Sequence, residues 1–351
     1  MISAFDHPFL CGLLGDEEVS RQLGVTAEIA AMLRFESALA KVQSRSGVIS
    51  IEAAAAISRA ADALVADIGA LREATARDGV VVPDLVRQLR QAVGEPHASS
   101  VHFGATSQDV IDTALMLRLK PTLETLETRI QTVVAALDNL ADRFGQRKMM
   151  GRTRMQAAIP ITAGDRLNAW CAPLQRHLER LPALRASTLA VQFGGAAGSL
   201  EKFGRQGGAI RAALADELGL GDAPQWHSQR DRLVGLAGWL ALLTGSLGKI
   251  GQDLALMAQN GGELVLSGGG GSSAMAHKQN PVSAEMLAAL ARFNAAQLGG
   301  LHQAMIHEQE RSGAAWTLEW MLLPQMLMTT AAALRHAGLL LASIESIGAA
   351  G

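Results

Sequence analysis

Four polar clusters interrupt an otherwise apolar chain, and each carries residue types suited to chemistry on anions. The densest runs Gly268-Gly-Gly-Gly-Ser-Ser-Ala-Met-Ala-His-Lys-Gln-Asn-Pro281, with Glu285 just beyond. Four glycines loosen the backbone; two serines, a histidine, a lysine and an asparagine follow at once. A loop that closes over an anion needs a mobile backbone, a hydroxyl to carry a proton and an ammonium for charge. A plain flexible linker has no use for that density of functional groups. The second cluster is His102-Phe-Gly-Ala-Thr-Ser-Gln-Asp109. Thr106 and Ser107 place hydroxyls and amides at a helix N-terminus, where the dipole favours negative charge. An ordinary N-cap has the same composition. The third is Gly151-Arg-Thr-Arg-Met-Gln156, preceded by Arg147 and Lys148. Near a helix start, Arg152, Arg154 and Gln156 could clamp a carboxylate in bidentate fashion; a solvated basic loop reads alike. The fourth is His307-Glu-Gln-Glu-Arg-Ser-Gly313, with Trp316 and Glu319. Read as helix, it sets His307 and Arg311 one turn apart on one face, as would any charged helix end.

No cluster has the spacing of metal ligands. His97 and His102 stand five apart in a Pro- and Gly-flanked stretch, and Cys11 and Cys171 form no paired motif. The glycine runs do not sit between a strand and a helix. No phosphate loop and no nucleophile elbow is present.

Long helices must position these groups. Leu119, Leu123, Leu126, Ile130, Val133, Leu137, Leu140 and Phe144 recur in steps of three and four, a heptad-like stripe. Pro121 should bend that helix or mark its first turn. Further long helical patterns run from Ser228 to Asn260, Pro281 to Glu310 and Leu318 to Ile347. Shorter ones span Thr26–Gly47, Ile51–Ile68 and Pro83–Val93. We expect an all-α fold: residues 1–104 as a smaller N-terminal helical domain, and 105–351 as a long-helix bundle carrying most motifs. Apolar faces wider than one partner can cover suggest a bundle that continues across a subunit interface; a single monomeric bundle is the simpler alternative. Composition agrees. The chain is 49% hydrophobic but only 4% aromatic, with no Tyr, which suits helices better than strands. A formal net charge of −2 argues against a general nucleic-acid binder. The first residues lack the basic start of a signal peptide, and the longest uncharged runs, Leu233–Gly248 and Trp320–Leu334, fall short of a membrane span. A cytoplasmic protein, not bound to membrane, is expected.

The glycine–serine cluster resembles the signature of the fumarase/aspartase superfamily, GSSxMPxKxNP, written here GSSAMAHKQNP with Ala276 in place of the proline. Thr106-Ser-Gln-Asp109 resembles that superfamily's TSxD region, and Gly151–Gln156 its GRTHxQ region. Gly194-Gly-Ala-Ala-Gly198 resembles a glycine segment of the same proteins. Four motifs thus occur in the family order. Through SSAMAHKQNPVSAEML and ARFNAAQLGGLHQAMIHEQERSGAAWTLEWMLLPQM the chain is most similar to the bacterial 3-carboxy-cis,cis-muconate cycloisomerases, or lactonizing enzymes.

The resemblance implies a homotetramer whose helical cores pack together, with active sites where subunits meet, no metal or organic cofactor, and a small polycarboxylate as substrate. It implies catalytic roles for Ser272, Lys278, Asn280, Glu285 and His102. Thr106, Ser107, Arg152, Arg154, Gln156, Ser273, Met275 and Arg311 would bind substrate. In the superfamily the serine matching Ser272 handles the proton beside a carboxylate; the second acid or base is left open between His102 and His277. Two departures stand out. Arg154 replaces the usual histidine, which suits a lactonizing enzyme better than a fumarate-releasing lyase such as adenylosuccinate lyase. The chain also ends at Gly351, so the superfamily's small C-terminal helical domain is expected to be truncated or absent. A catalytically silent scaffold, as in eye-lens members of the superfamily, would have no use for the serine–lysine–asparagine loop.

Overall fold

The computed structural model describes residues 3–271, 274, 275 and 279–349. Helices dominate it. A first group comprises α1 (Cys11–Leu14), α2 (Glu17–Leu23), α3 (Val25–Arg45), α4 (Ile51–Ala63), α5 (Ile68–Asp78) and α6 (Val82–Val93). Then come α7 (Ser107–Phe144), an antiparallel hairpin of β1 (Lys148–Thr153) and β2 (Gln156–Thr162), α8 (Ala163–Thr188) and α9 (Gly207–Leu218). The chain finishes with α10 (Asp231–Asn260), β3 (Leu264–Leu266), α11 (Val282–Ala304), α12 (Ala314–Ala342) and β4 (Ile344–Ile347), with β4 antiparallel to β3.

The heptad stripe builds α7 as expected: all eight of its apolar residues are buried. The helix begins where Asp109 accepts the Thr106 amide at 3.0 Å. Pro121 lies well inside the helix rather than in its first turn; tertiary packing on both sides outweighs its missing hydrogen bond. At 1.5 Å per residue, the 38 residues of α7 span about 57 Å. One hydrophobic cluster joins most of α7 to α8, α10, α11 and α12. A second joins α3 to α6 with α9, Phe193, Trp316 and the first turns of α7, including Val110, Ala114 and Leu117. α7 therefore ties both clusters together.

Three sequence expectations need correction. The helix beginning near Pro281 stops at Ala304, and α12 begins only at Ala314. His307–Gly313 is thus a connection, with Gln309 at φ 45°, so His307 and Arg311 do not share a helix face. Outside the helix, exposed Arg311 reaches Gln108 and the Ala196 carbonyl, while the buried His307 side chain lies by Glu319. The last helix stops at Ala342, and Ile344–Ile347 pairs as a strand because its backbone completes β3. Finally, α10 is by length and composition able to cross a membrane once its few charges are counted within the run. Most of that stretch is buried against α8, α11 and α12. Gly248 and Gly251 let α11 approach: a Cβ at Gly248 would meet the Ala291 Cβ at 2.6 Å, and one at Gly251 would meet the Ala284 carbonyl at 2.5 Å.

Candidate active site

At the N-terminal end of α7, Asp109 is a hub with no exposed surface. Its carboxylate accepts the amides of Gly194 (2.9 Å), Gly195 (3.0 Å) and Thr106, and lies 2.8 Å from His227 Nε2. The glycine segment and the TSxD region are therefore one structure, held by that carboxylate. The Thr106 and Ser107 hydroxyls stay half-buried beside the first turn of the helix. Arg311 joins them from the connection before α12. Its Nε donates to Gln108 Oε1 at 3.2 Å and its Nη2 to the Ala196 carbonyl at 3.0 Å.

A charged core lies beneath. Arg230, with no exposed side-chain surface, donates to Asp112 at 2.6 and 3.1 Å and to Glu319 at 2.8 and 2.6 Å. Desolvation opposes its charge, but the two carboxylates more than offset it and hold the guanidinium protonated. Trp316 Nε1 donates to Asp112 at 3.2 Å, and His307 Nε2 lies 3.4 Å from Glu319. Gln108 closes the network, donating to Asp112 and to the His227 carbonyl.

His102 stands at the rim. Its Nδ1 lies 2.6 Å from Glu36 Oε1 on α3. Burial works against a charged ring, but Glu36, with a contribution from Asp109, outweighs it and raises the pKa above the ordinary histidine value.

The remaining sequence-selected residues lie elsewhere. Arg152, Arg154 and Gln156 are not near a helix start, as expected, but at the tip of the β1–β2 hairpin. Arg154 and Met155 form its two-residue turn with φ 47° and 66°, the twist that tight hairpins require. All three are exposed, with no side-chain hydrogen bond among the described residues. The glycine loop leaves β3 and is clasped by paired backbone bonds between Gly270 and Asn280, 2.9 and 2.8 Å long. Asn280 Nδ2 also reaches the Gly271 carbonyl at 3.4 Å. Met275 is partly exposed, and Glu285 is exposed in the first turn of α11. Ser272, Ser273, His277 and Lys278 lie outside the described residues.

The two groups occupy opposite ends of the bundle. The Glu263 side chain accepts the Met150 amide at 2.6 Å, and the Ala349 amide donates to the Lys148 carbonyl at 2.7 Å, so the hairpin and β3 sit together. Both follow the C-terminal ends of α7 and α10. Thr106, Arg311 and the Arg230 network sit at the other end, about 57 Å away along the 38-residue α7. The six residues of β1 reach about 20 Å, too little to bridge that span. Two cavities of about 700 and 740 Å³ open on either side of Val25, Ile29 and Ile68, and Asp112 and Glu319 of the charged core line the second.

Sequence reasoning missed Glu36, Asp112, His227 and Arg230. Glu36 did leave a signal, a carboxylate on the apolar face marked by Met32, Phe35 and Leu39 of α3. Arg230 left none, because its partners are 89 and 118 residues away.

Residues 17–293 match the protein family described as Lyase. The chain is 42% identical over 325 residues to 3-carboxy-cis,cis-muconate cycloisomerase of Pseudomonas aeruginosa, covering 90% of this chain and 71% of that protein. It is 38% identical over 334 residues to the enzyme of the same name from Acinetobacter baylyi, covering 92% and 74%. Among solved structures, 3-carboxy-cis,cis-muconate lactonizing enzyme from Pseudomonas putida superposes with a TM-score of 0.90 at 36% identity, over 96% of this chain and 77% of that one.

Proposed function

Because this chain belongs to the Lyase family, within the fumarase/aspartase superfamily, we propose that it is a cycloisomerase converting 3-carboxy-cis,cis-muconate to a carboxymuconolactone. The observation that carries this reading is Arg154 in the histidine position of the GRTHxQ region, in a chain alike to the muconate enzymes over nine-tenths of its length. The substrate holds three carboxylates. One of its own carboxylate oxygens adds to a carbon–carbon double bond; the π electrons move toward a neighbouring carboxylate, and the adjacent carbon then takes a proton. No enzyme nucleophile is needed. The protein must hold a trianion in a reactive conformer, stabilise charge as it moves and manage one proton. Arg152, Arg154, Arg311 and Lys278 supply positive charge, while Thr106, Ser107, Gln156, Asn280, Ser273 and Met275 complete the binding surface. Ser272 delivers the proton, with Glu285 and His102 in supporting roles.

This reading requires several copies of the chain, since one copy holds the two halves of the site at opposite ends. A homotetramer in which residues 105–351 form the shared bundle, with neighbours running in opposite directions, would bring the hairpin and glycine loop of one copy to Thr106 of another. Two surface features support that assembly. Met155 and Ile159 are 77% and 68% exposed on the hairpin. On α10, Gly235, Gly238, Leu242 and Gly245 form a stripe; Leu242 is exposed, and Cβ atoms at the three glycines would meet open space. Helical glycine costs about 1 kcal/mol relative to alanine, a cost that close packing by a second copy would offset.

The test is direct. Purified protein, with chelator present, should consume 3-carboxy-cis,cis-muconate in a spectrophotometric assay and form a lactone. Turnover of adenylosuccinate without turnover of the muconate would overturn the reading.

A further inference from the structure

His102 occupies a backbone conformation that non-glycine residues rarely adopt, φ 63°. Such strain persists only where the surroundings over-determine it, and here they do. The preceding Val101 is fully buried. Gln43 Nε2 donates to the Phe103 carbonyl at 2.7 Å, and Gly104 lies so close to the Phe203 ring that a Cβ would meet it at 2.3 Å. The loop is thereby pressed into the one arrangement that brings the His102 ring against Glu36.

Glu36 is 2% exposed, and its Oε2 is buried without a hydrogen-bond partner, so His102 Nδ1 at 2.6 Å is the group that compensates its charge. A buried carboxylate without a cationic partner is costly. The charged groups facing the ring are Glu36 from α3, Asp109 from α7 and Arg90 from α6: two carboxylates against one guanidinium. His102 keeps 15% of its side-chain surface open, and its Nε2 makes no hydrogen bond among the described residues.

We propose that Glu36 is a positioning residue that holds His102 as an imidazolium at neutral pH, with Nδ1–H given to Glu36 and Nε2–H presented to a carboxylate of the substrate. His102 is then an anion-binding donor, not a base, because a base must be neutral. The proposal rests on the polycarboxylate reading above for its ligand, but not for its protonation state. It adds a cation at the end of the site where Arg311 already spends its hydrogen bonds on Gln108 and Ala196. The raised pKa of His102 agrees with this arrangement.

The experiment follows the pH dependence of His102 carbethoxylation by diethyl pyrocarbonate, read by peptide mass spectrometry on the intact oligomer, since only neutral imidazole reacts. In the wild type the reactivity midpoint should lie above the ordinary histidine value. Glu36→Gln should lower it and Glu36→Asp should restore it in part. In parallel, Glu36→Gln should move the alkaline limb of kcat/KM for 3-carboxymuconate to lower pH. It should also raise KM about 10- to 100-fold at pH 8, the scale of a lost charge-assisted hydrogen bond. A wild-type midpoint at or below the ordinary histidine value overturns the proposal, as does a midpoint that Glu36→Gln leaves in place. If Glu36→Gln does not fold, the wild-type midpoint decides alone. A high midpoint in protein that does not turn over the muconate would refute the substrate reading and leave the Glu36–His102 couple standing. Turnover with a low midpoint would do the reverse.

Discussion

Mixing two inactive variants tests the divided site most sharply. His102→Gln damages the α7 end and Arg152→Ala the hairpin end. These groups are separated in one chain by the length of α7, about 57 Å for its 38 residues, so the proposed site takes them from different copies. Each variant alone carries a lesion in every site and should be nearly inactive. In oligomers assembled at random from equal amounts, a site finds an intact His102 half the time and, independently, an intact Arg152 half the time. About one quarter of sites should therefore be whole, and activity should rise to about 25% of wild type. If each site drew both groups from one chain, every site would keep a lesion and mixing would change nothing. The assay is muconate turnover after partial denaturation and reassembly, with differently tagged variants and native mass spectrometry to verify mixed oligomers. Verified hybrids without recovered activity, or an active isolated monomer, would refute the divided site.

Ser272→Ala should lower kcat about 10²- to 10⁴-fold with KM little changed, as loss of a proton carrier does, whereas Lys278→Met should worsen both; near-normal kcat in Ser272→Ala would move the proton to another group. Arg230→Met should cost about 3–5 kcal/mol in denaturant unfolding, because it strands the buried Asp112 and Glu319 carboxylates. Replacing Asp112 and Glu319 with leucine alongside it should recover most of that loss, and a cost under about 1 kcal/mol for Arg230→Met would contradict the network's role. His177, buried on α8 beside Arg180 and Arg176, has its pKa pushed down from 6.5 to about 4, chiefly by desolvation. The unfolded chain therefore takes up this proton first, and stability should fall as pH drops from about 6.5 to 4. His177→Gln should show a shallower acid decline across that window in thermal melts, and an identical slope would exclude the assignment.

Much of the fold was legible because helices advertise themselves locally. The stripe from Leu119 to Phe144 encodes contacts three and four residues apart, and every member of it is buried. The motifs were legible for a related reason: Thr106-Ser-Gln-Asp109 and the glycine–serine loop each compress their chemistry into a few neighbouring residues. Local patterns failed where the backbone changed form between polar residues. Gly151–Gln156 became a hairpin and His307–Gly313 a connection, since neither segment has an apolar period to declare its state.

The amino-acid sequence by itself therefore determined the helical class, the long bundle elements and the clusters of residue types suited to chemistry on anions. Tertiary structure alone decided which of those residues meet. It joined Asp109 to Gly194 and Gly195, buried Arg230 between Asp112 and Glu319, set His102 on Glu36, and put the hairpin and glycine loop at the far end of the bundle. The physical reason is range. Helical periodicity is a property of neighbours along the chain, while these pairings span 66 to 118 residues and arise only when whole helices pack, a choice made by summed burial over many side chains that no short segment records.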